Sequence, residues 1–172
     1  MTVRLRGEVV TLRPFREDEF DAVLEREAGA EATEDARRNL RERLWRSGEW
    51  TEQELRLAVE AEGALVGDCQ ARISHWALPP GVCELGIGLF EEATGKGYGT
   101  DTLRTLSAYL FDEAEIHRVQ LSTDVGNAAM RTAAEKAGFA FEGVLRGFWA
   151  QDDGTHDYAM YARTRADHHG GR

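Results

Sequence analysis

The run Gly95-Lys96-Gly97-Tyr98-Gly99-Thr100 has the make-up of an anion cradle. Glycine carries no side chain to hold a ligand off, and it takes up turns that other residues resist. The run sits between a strand-like segment and an amphipathic helical one. A helix start offers unpaired N–H groups and the positive end of the helix dipole. Lys96 adds a cation at the rim. The spacing is G-x-G-x-G, which is not the dinucleotide fingerprint. Nor is it a Walker loop, because Gly97 follows Lys96 where that loop needs Ser or Thr. Taken alone, the loop fits either a phosphate site or a plain tight helix entry.

Just upstream, Val82 to Phe90 alternates as a strand does. Cys83, Leu85, Ile87 and Leu89 fall on one face, which reads as core. Glu84, Gly86, Gly88 and Phe90 fall on the other. A carboxylate beside two glycines describes a floor that a substrate can approach closely. Glu84 there either accepts a proton or pairs with a neighbouring Arg on a solvated face. Cys69 and Cys83 lie in apolar runs without metal-site spacing and read as buried thiols, which suits a reducing, cytoplasmic setting. His168-His169 lacks metal spacing, so no metal site is expected. His75, Trp76, Trp149, Tyr158 and Tyr161 either line an acceptor cleft or simply pack.

The elements that must position these residues follow from periodicity. Val9 to Arg13 reads as a first strand, ended by Pro14. Asp18 to Glu27 and Ala32 to Trp45 read as helices, the second highly charged. Leu55 to Ala61 and Leu65 to His75 read as strands joined by a turn at Glu62-Gly63. A helix is expected from about Thr100 to Glu113, a strand over Val119 to Thr123, and a helix over Asn127 to Ala137 with Gly138 as its stop. Asn127 reads as that helix's N-cap. A hairpin, Phe141 to Ala150 and Asp157 to Arg163, closes the chain, and residues 164–172 are expected to fray. Antiparallel strands first, then strand–helix–strand–helix, then a hairpin, predict an α/β (α+β) fold. Its sheet is mixed and mostly antiparallel, and helices flank it.

The chain has 172 residues, 42% of them hydrophobic, which suits one folded domain spanning 1–172 with its core over about 8–163. No apolar run reaches the roughly 18 residues of a membrane span, and no secretory signal follows Met1 to Arg6. The net charge of −10 argues against a nucleic-acid partner and favours a cationic one, including an amine.

Several segments together resemble the GNAT superfamily of acyl-CoA N-acyltransferases, most closely the Rim-type ribosomal-protein N-terminal acetyltransferases. They are Val10 to Phe15, Cys83 to Gly88, Thr94 to Thr100, Ile116 to Val119, Asn127, Glu135 to Phe139 and Glu142 to Arg146. The resemblance covers roughly residues 8 to 163. It implies an acetyl-CoA donor and an amine acceptor, with no membrane or nucleic acid involved, and it is compatible with a homodimer. It also implies that Thr94, Gly95, Lys96, Gly97, Tyr98, Gly99 and Thr100 receive the coenzyme A pyrophosphate. The pantetheine arm would run beside the strand that ends in Leu89 and Phe90, near Asn127. Glu84 is then the expected general base, and an N–H between Ile87 and Leu89 the oxyanion donor. Members of this family usually carry a bulge in that strand, near Gly86 to Gly88.

The sequence departs from the pattern in three places. Thr94 stands where many members have Gln or Arg, Met130 where the branch often has Ser, and Ala134 where many carry an acid Tyr. A leaving thiolate needs little help, because a free thiol has a pKa of about 8.5. The missing Tyr also admits a non-catalytic acyl-CoA-binding module as the alternative.

Overall fold

Eight strands form one sheet in the order β1-β2-β3-β4-β5-β6-β8-β7. The computed structural model describes residues 2–28, 32–74 and 77–170. The strands are β1 (Leu5–Arg6), β2 (Thr11–Arg13), β3 (Glu54–Ala61), β4 (Ala64–Arg72), β5 (Val82–Leu89), β6 (Arg118–Asp124), β7 (Ala140–Gln151) and β8 (Gly154–Thr164). The helices are α1 (Phe20–Ala28), α2 (Glu34–Trp45), α3 (Tyr98–Asp112), α4 (Ala128–Lys136) and α5 (Arg165–Gly170). Every neighbouring pair is antiparallel except β5 and β6. The mixed, mostly antiparallel sheet expected from the order of elements is the one present.

Strand alternation divides the sheet into two faces. Leu55 and Leu57, Cys69 and Ala71, Cys83 and Leu85, and Val119 and Leu121 lie buried with Leu103, Leu106 and Leu110 of α3 and Ala134 of α4. On the opposite face, Phe20, Val23 and Leu24 of α1 and Leu40 and Leu44 of α2 cover Ala58 of β3 and Leu65 of β4. That second cluster reaches no strand beyond β4, so β5, β6 and β8 keep their polar face half-exposed.

The feature that positions the site is a splay between the two central strands. β5 pairs with β6 only over Val82↔Arg118, Cys83↔Val119 and Glu84↔Gln120. Beyond Glu84 it stays with β4 as far as Leu89, while β6 stays with β8 as far as Asp124. A wedge therefore opens between the strand ends. The bulge expected in β5 is absent, and the β4–β5 register runs unbroken from Glu84 to Leu89. The irregularity falls instead at Val59/Glu60 and within β7. Close approach of the strands accounts for Gly67, where a Cβ would run into the Gly88 carbonyl oxygen.

Other differences have local causes. The strand expected from Val9 is β2 and begins at Thr11, because the N–H groups of Glu8, Val9 and Val10 turn to the buried carboxylate of Asp101, at 3.1, 2.7 and 2.9 Å; the short β1 ahead of it is not among the expected strands. α3 starts at Tyr98, two positions earlier than expected, since Gly97 supplies the left-handed turn (φ 83°) that admits the helix. The tail expected to fray forms α5, where Thr164 and Asp167 cap each other's backbone N–H groups at 2.8 and 3.2 Å. His75 and Trp76 lie outside the described residues.

Candidate active site

The glycine loop forms a cradle of free donors. Asp101 N–H makes the first helical bond, to the Gly97 carbonyl at 3.1 Å, and no acceptor among the described residues takes the N–H groups of residues 95 to 100. Gly95 (φ 75°) and Gly97 (φ 83°) both have left-handed backbones, and a Cβ on either would stand in open space. The cradle opens onto the N-terminus of a helix of 15 residues, where negative charge is favoured. Three expected contributors differ in kind. Thr94 turns both its N–H and its hydroxyl back to the Glu91 carbonyl, at 3.1 and 2.7 Å, so it has no free donor. The buried Tyr98 hydroxyl donates to Glu62 at 3.2 Å, leaving only its backbone N–H for a ligand. Lys96 is exposed at the rim.

A substitution pair tests whether backbone or charge holds the anion. Gly97→Val strains a left-handed residue and puts a branched side chain where the ligand would approach, so coenzyme A affinity should fall steeply. Lys96→Ala should cost about 1 kcal/mol or less, as exposed charges do. Calorimetric titration of both variants would decide. A larger loss in the lysine variant would overturn the backbone cradle.

The wedge continues from this loop. The Phe90 N–H bonds to the Val66 carbonyl at 2.9 Å. Alternation then aims the N–H groups of Ile87 and Leu89 away from β4, toward the open edge. The Leu89 carbonyl accepts from Arg26 at 2.9 Å, and the Arg26 guanidinium lies 4.5 Å from the Phe90 ring centroid. Asn127 follows β6, and its Oδ1 accepts from the Met130 N–H at 3.1 Å, as an N-cap does.

Glu84 lies on the polar face, directly opposite Arg72 on β4 and Gln120 on β6. Its Oε1 accepts from Arg72 at 3.0 Å, and Oε2 has no hydrogen-bond partner among the described residues. The ion pair weighed as an alternative to base chemistry is therefore present, yet one carboxylate oxygen stays open. Beside it runs a cleft of about 300 Å³ lined by Arg26, Glu27, Asp68, Gln70, Arg72 and Gly86 to Gly88. A larger hollow, about 480 Å³, lies between α2 and the start of β3, away from the wedge.

Further along this face His156 sits between two carboxylates, with Nδ1 3.1 Å from Asp124 and Nε2 2.8 Å from Asp153. The hydrogen bond to Asp153 chiefly raises its pKa above the ordinary value, and Asp124 adds to this against some desolvation. The charged form therefore stabilises the folded state below the usual value of about 6.5, and this contribution disappears as pH rises through the higher folded value. An NMR titration should place the His156 midpoint above that of an unfolded peptide, and Asp153→Asn should bring it down. An unshifted midpoint would dismiss the pairing. No local pattern in the sequence links Asp124 to His156; the β6–β8 register does.

Other residues take other roles. Tyr161 is fully buried on the opposite face and bonds to Arg131 and Glu135, so it does not line the polar cleft. Tyr158, on the polar face, stacks against the exposed Trp149. Ala134 is completely buried. Burial pushes the Cys83 thiol up to about 12, and Cys69 higher still, which leaves no thiolate for nucleophilic work. Asp112, His168 and His169 bring ligand-type atoms together at the surface. Arg163, a donor only, faces His168 Nδ1 at 3.3 Å, so Nε2 carries the proton and donates to Asp112.

A splayed parallel strand pair, an N–H cradle leading into the next helix and a carboxylate where the strands part are the parts of an acyl-CoA-binding transferase fold. Residues 10–140 match the acetyltransferase (GNAT) domain family, and the chain belongs to that family. It is 33% identical over 87 residues to Bacillus subtilis YdaF, a ribosomal N-acetyltransferase by name; the match spans 51% of this chain and 48% of that protein. Among solved structures it resembles RimL, the ribosomal L7/L12 α-N-protein acetyltransferase in complex with coenzyme A. There the TM-score is 0.77 and the identity 18%, over 94% of this chain and 98% of that one. Vibrio cholerae SpeG, a spermidine/spermine N-acetyltransferase, gives a TM-score of 0.76 at 18% identity, over 95% and 96%.

Proposed function

We propose that the protein transfers an acetyl group from acetyl-CoA to a primary amine by direct attack. The observation that carries this reading is the wedge itself, with free N–H groups at its mouth and Glu84 where its two strands part. The N–H groups of residues 95 to 100 hold the donor's pyrophosphate. The open edge of β5 at Ile87 to Leu89, with Phe90 beyond, lies along the pantetheine arm. An N–H of Ile87 or Leu89 stabilises the oxyanion that forms as the amine attacks the thioester carbon. The amine enters from the polar face, and Glu84, directly or through a water, takes its proton. The C–S bond breaks and the thiolate leaves. With Ala134 in place of a Tyr, no side-chain acid is assigned at that position.

RimL points toward protein N-termini as acceptors, YdaF toward a ribosomal acceptor, and SpeG toward small amines such as spermidine and spermine. No helix among the described residues is long and apolar enough to cross a membrane, and we place the activity in the cytoplasm. A second reading, a non-catalytic acyl-CoA sensor, rests on Ala134 and on the Arg72–Glu84 pair. Thermal shift with acetyl-CoA, with ATP as control, tests the donor. A ligand at about 100 times its dissociation constant adds roughly 2.7 kcal/mol, a rise of several degrees at this size. No shift would remove the donor. A shift without thiol release across an amine panel would leave the sensor.

A further inference from the structure

The cleft beside Glu84 carries charges of both signs. Each of its carboxylates has one oxygen engaged. Glu27 and Asp68 both accept from NH2 of Arg56, and Asp68 also accepts from Gln70 at 3.3 Å. Glu84 accepts from Arg72. Arg56 is only 2% exposed, and its Nε and NH1 have no partner. A cationic acceptor drawing Glu27 or Asp68 away would strip a buried guanidinium of its remaining bonds. That is a costly exchange, because an unpaired buried charge is far worse than a paired one.

One oxygen each of Glu27, Asp68 and Glu84 has no partner among the described residues, and beside these acceptors the cleft holds unused cationic donors. Arg72 is half-exposed, and only its NH2 is engaged. Arg26 uses its NH2 on the Leu89 carbonyl, and its other nitrogens have no partner among the described residues. Both flank the glycine floor: the space a Cβ would take on Gly86 lies 3.6 Å from Arg72 NH2, and that on Gly88 lies 3.3 Å from Asp68 Oδ1 and 3.5 Å from Arg26 NH2, so donors and an acceptor meet there. Guanidinium donors grip carboxylates with two parallel bonds, a geometry an amide or ammonium group does not match.

We propose that the acceptor amine carries a carboxylate on a nearby carbon, read by Arg26 and Arg72 while the nitrogen faces Glu84 and the wedge. This rests on the acetyl-transfer reading above and narrows its acceptor class to amino-acid-like amines. The test compares kcat/KM for amino acids with their α-amides, for peptides with an acidic second residue with their amide counterparts, and for spermidine. On basicity alone the α-amides would win, since their amines lose a proton more readily. The wild type should prefer the carboxylate member of a pair by about tenfold or more, the discrimination one charge-assisted bond supplies. Which pair shows it separates a free amino acid from a polypeptide start. Arg26→Gln and Arg72→Gln should each bring the ratio close to one. A ratio taken within one variant is blind to its stability and overall rate, so partial misfolding cannot imitate the result. Pairs treated equally by the wild type, spermidine outrunning both, or a ratio surviving in both variants would overturn the proposal.

Binding supplies a readout without turnover. Protein saturated with coenzyme A should gain thermal stability from the carboxylate member and not from its amide. Equal shifts would remove the carboxylate site yet leave acetyl transfer standing, whereas no shift from coenzyme A itself would remove the donor.

Discussion

Glu84→Gln is expected to lower turnover by about 10²- to 10⁴-fold, the usual loss for a general base. Affinity for acetyl-CoA should hardly change, because the N–H cradle at residues 95 to 100 lies at the other end of β5. Activity should partly recover as pH rises toward 10, where the acceptor arrives already deprotonated. The ion pair with Arg72 sharpens the comparison. Both side chains are substantially exposed, at 30% for Glu84 and 47% for Arg72, so losing the pair should cost about 1 kcal/mol or less. A variant that loses stability and keeps its pH profile would show pairing as the whole role of Glu84. One whose KM rises with little loss at saturation would show it only attracting the acceptor. Wild-type turnover with a wild-type pH profile would dismiss Glu84, and a water held by backbone carbonyls would be the next base to consider.

Arg13→Met is expected to lower stability by roughly 3 kcal/mol, the scale of breaking a buried ion pair by removing one partner. Arg13 is only 2% exposed. It donates to both oxygens of Glu19 at 2.9 and 2.6 Å, to Glu60 at 2.7 Å and to the Pro14 carbonyl at 2.9 Å. Methionine removes the buried cation and leaves Glu60 and Glu19 with only the exposed Arg16, at 2.6 and 3.7 Å. The hydrogen bond from Arg13 is the main reason Glu60 sits below the usual carboxylate range. Burial pulls Glu19 upward, but bonds from Arg13 and the Arg16 N–H outweigh it and leave Glu19 low as well. Depressed carboxyls add stability above the unfolded value of about 4.3, and that stability is lost as pH falls through the folded values. The wild type should therefore weaken in acid, and the gap to Arg13→Met should narrow below that pH. Urea unfolding at pH 7 and at about pH 3 measures both. A gap independent of pH would remove the carboxylates from the explanation. Arg56→Met is the useful contrast, because two of the three nitrogens of that guanidinium are already unsatisfied and its loss should cost less than that of Arg13.

Much of the site was legible before any coordinates. The left-handed turns at Gly95 and Gly97, the Asn127 cap and the sharing of one face by Glu84, Gly86 and Gly88 are local properties. Each depends on backbone freedom, a short side-chain reach or the two-residue period of a strand, and all three are written in neighbouring residues. Thr94 shows where such reading stops short, since its donors turn inward to Glu91 once the turn is built. What the chain could not announce is which distant segments meet. The wedge exists because β5 and β6 pair over only three positions before each follows its other neighbour. Arg72 stands against Glu84, and Asp124 against His156, because of strand order and register, which no periodicity encodes. The same holds for Arg13 between Glu19 and Glu60, and for Asp101 beneath the N-terminal backbone. Net charge stops short for a related reason: it sums the whole surface, while a cleft is governed by the few side chains that tertiary packing brings to its walls.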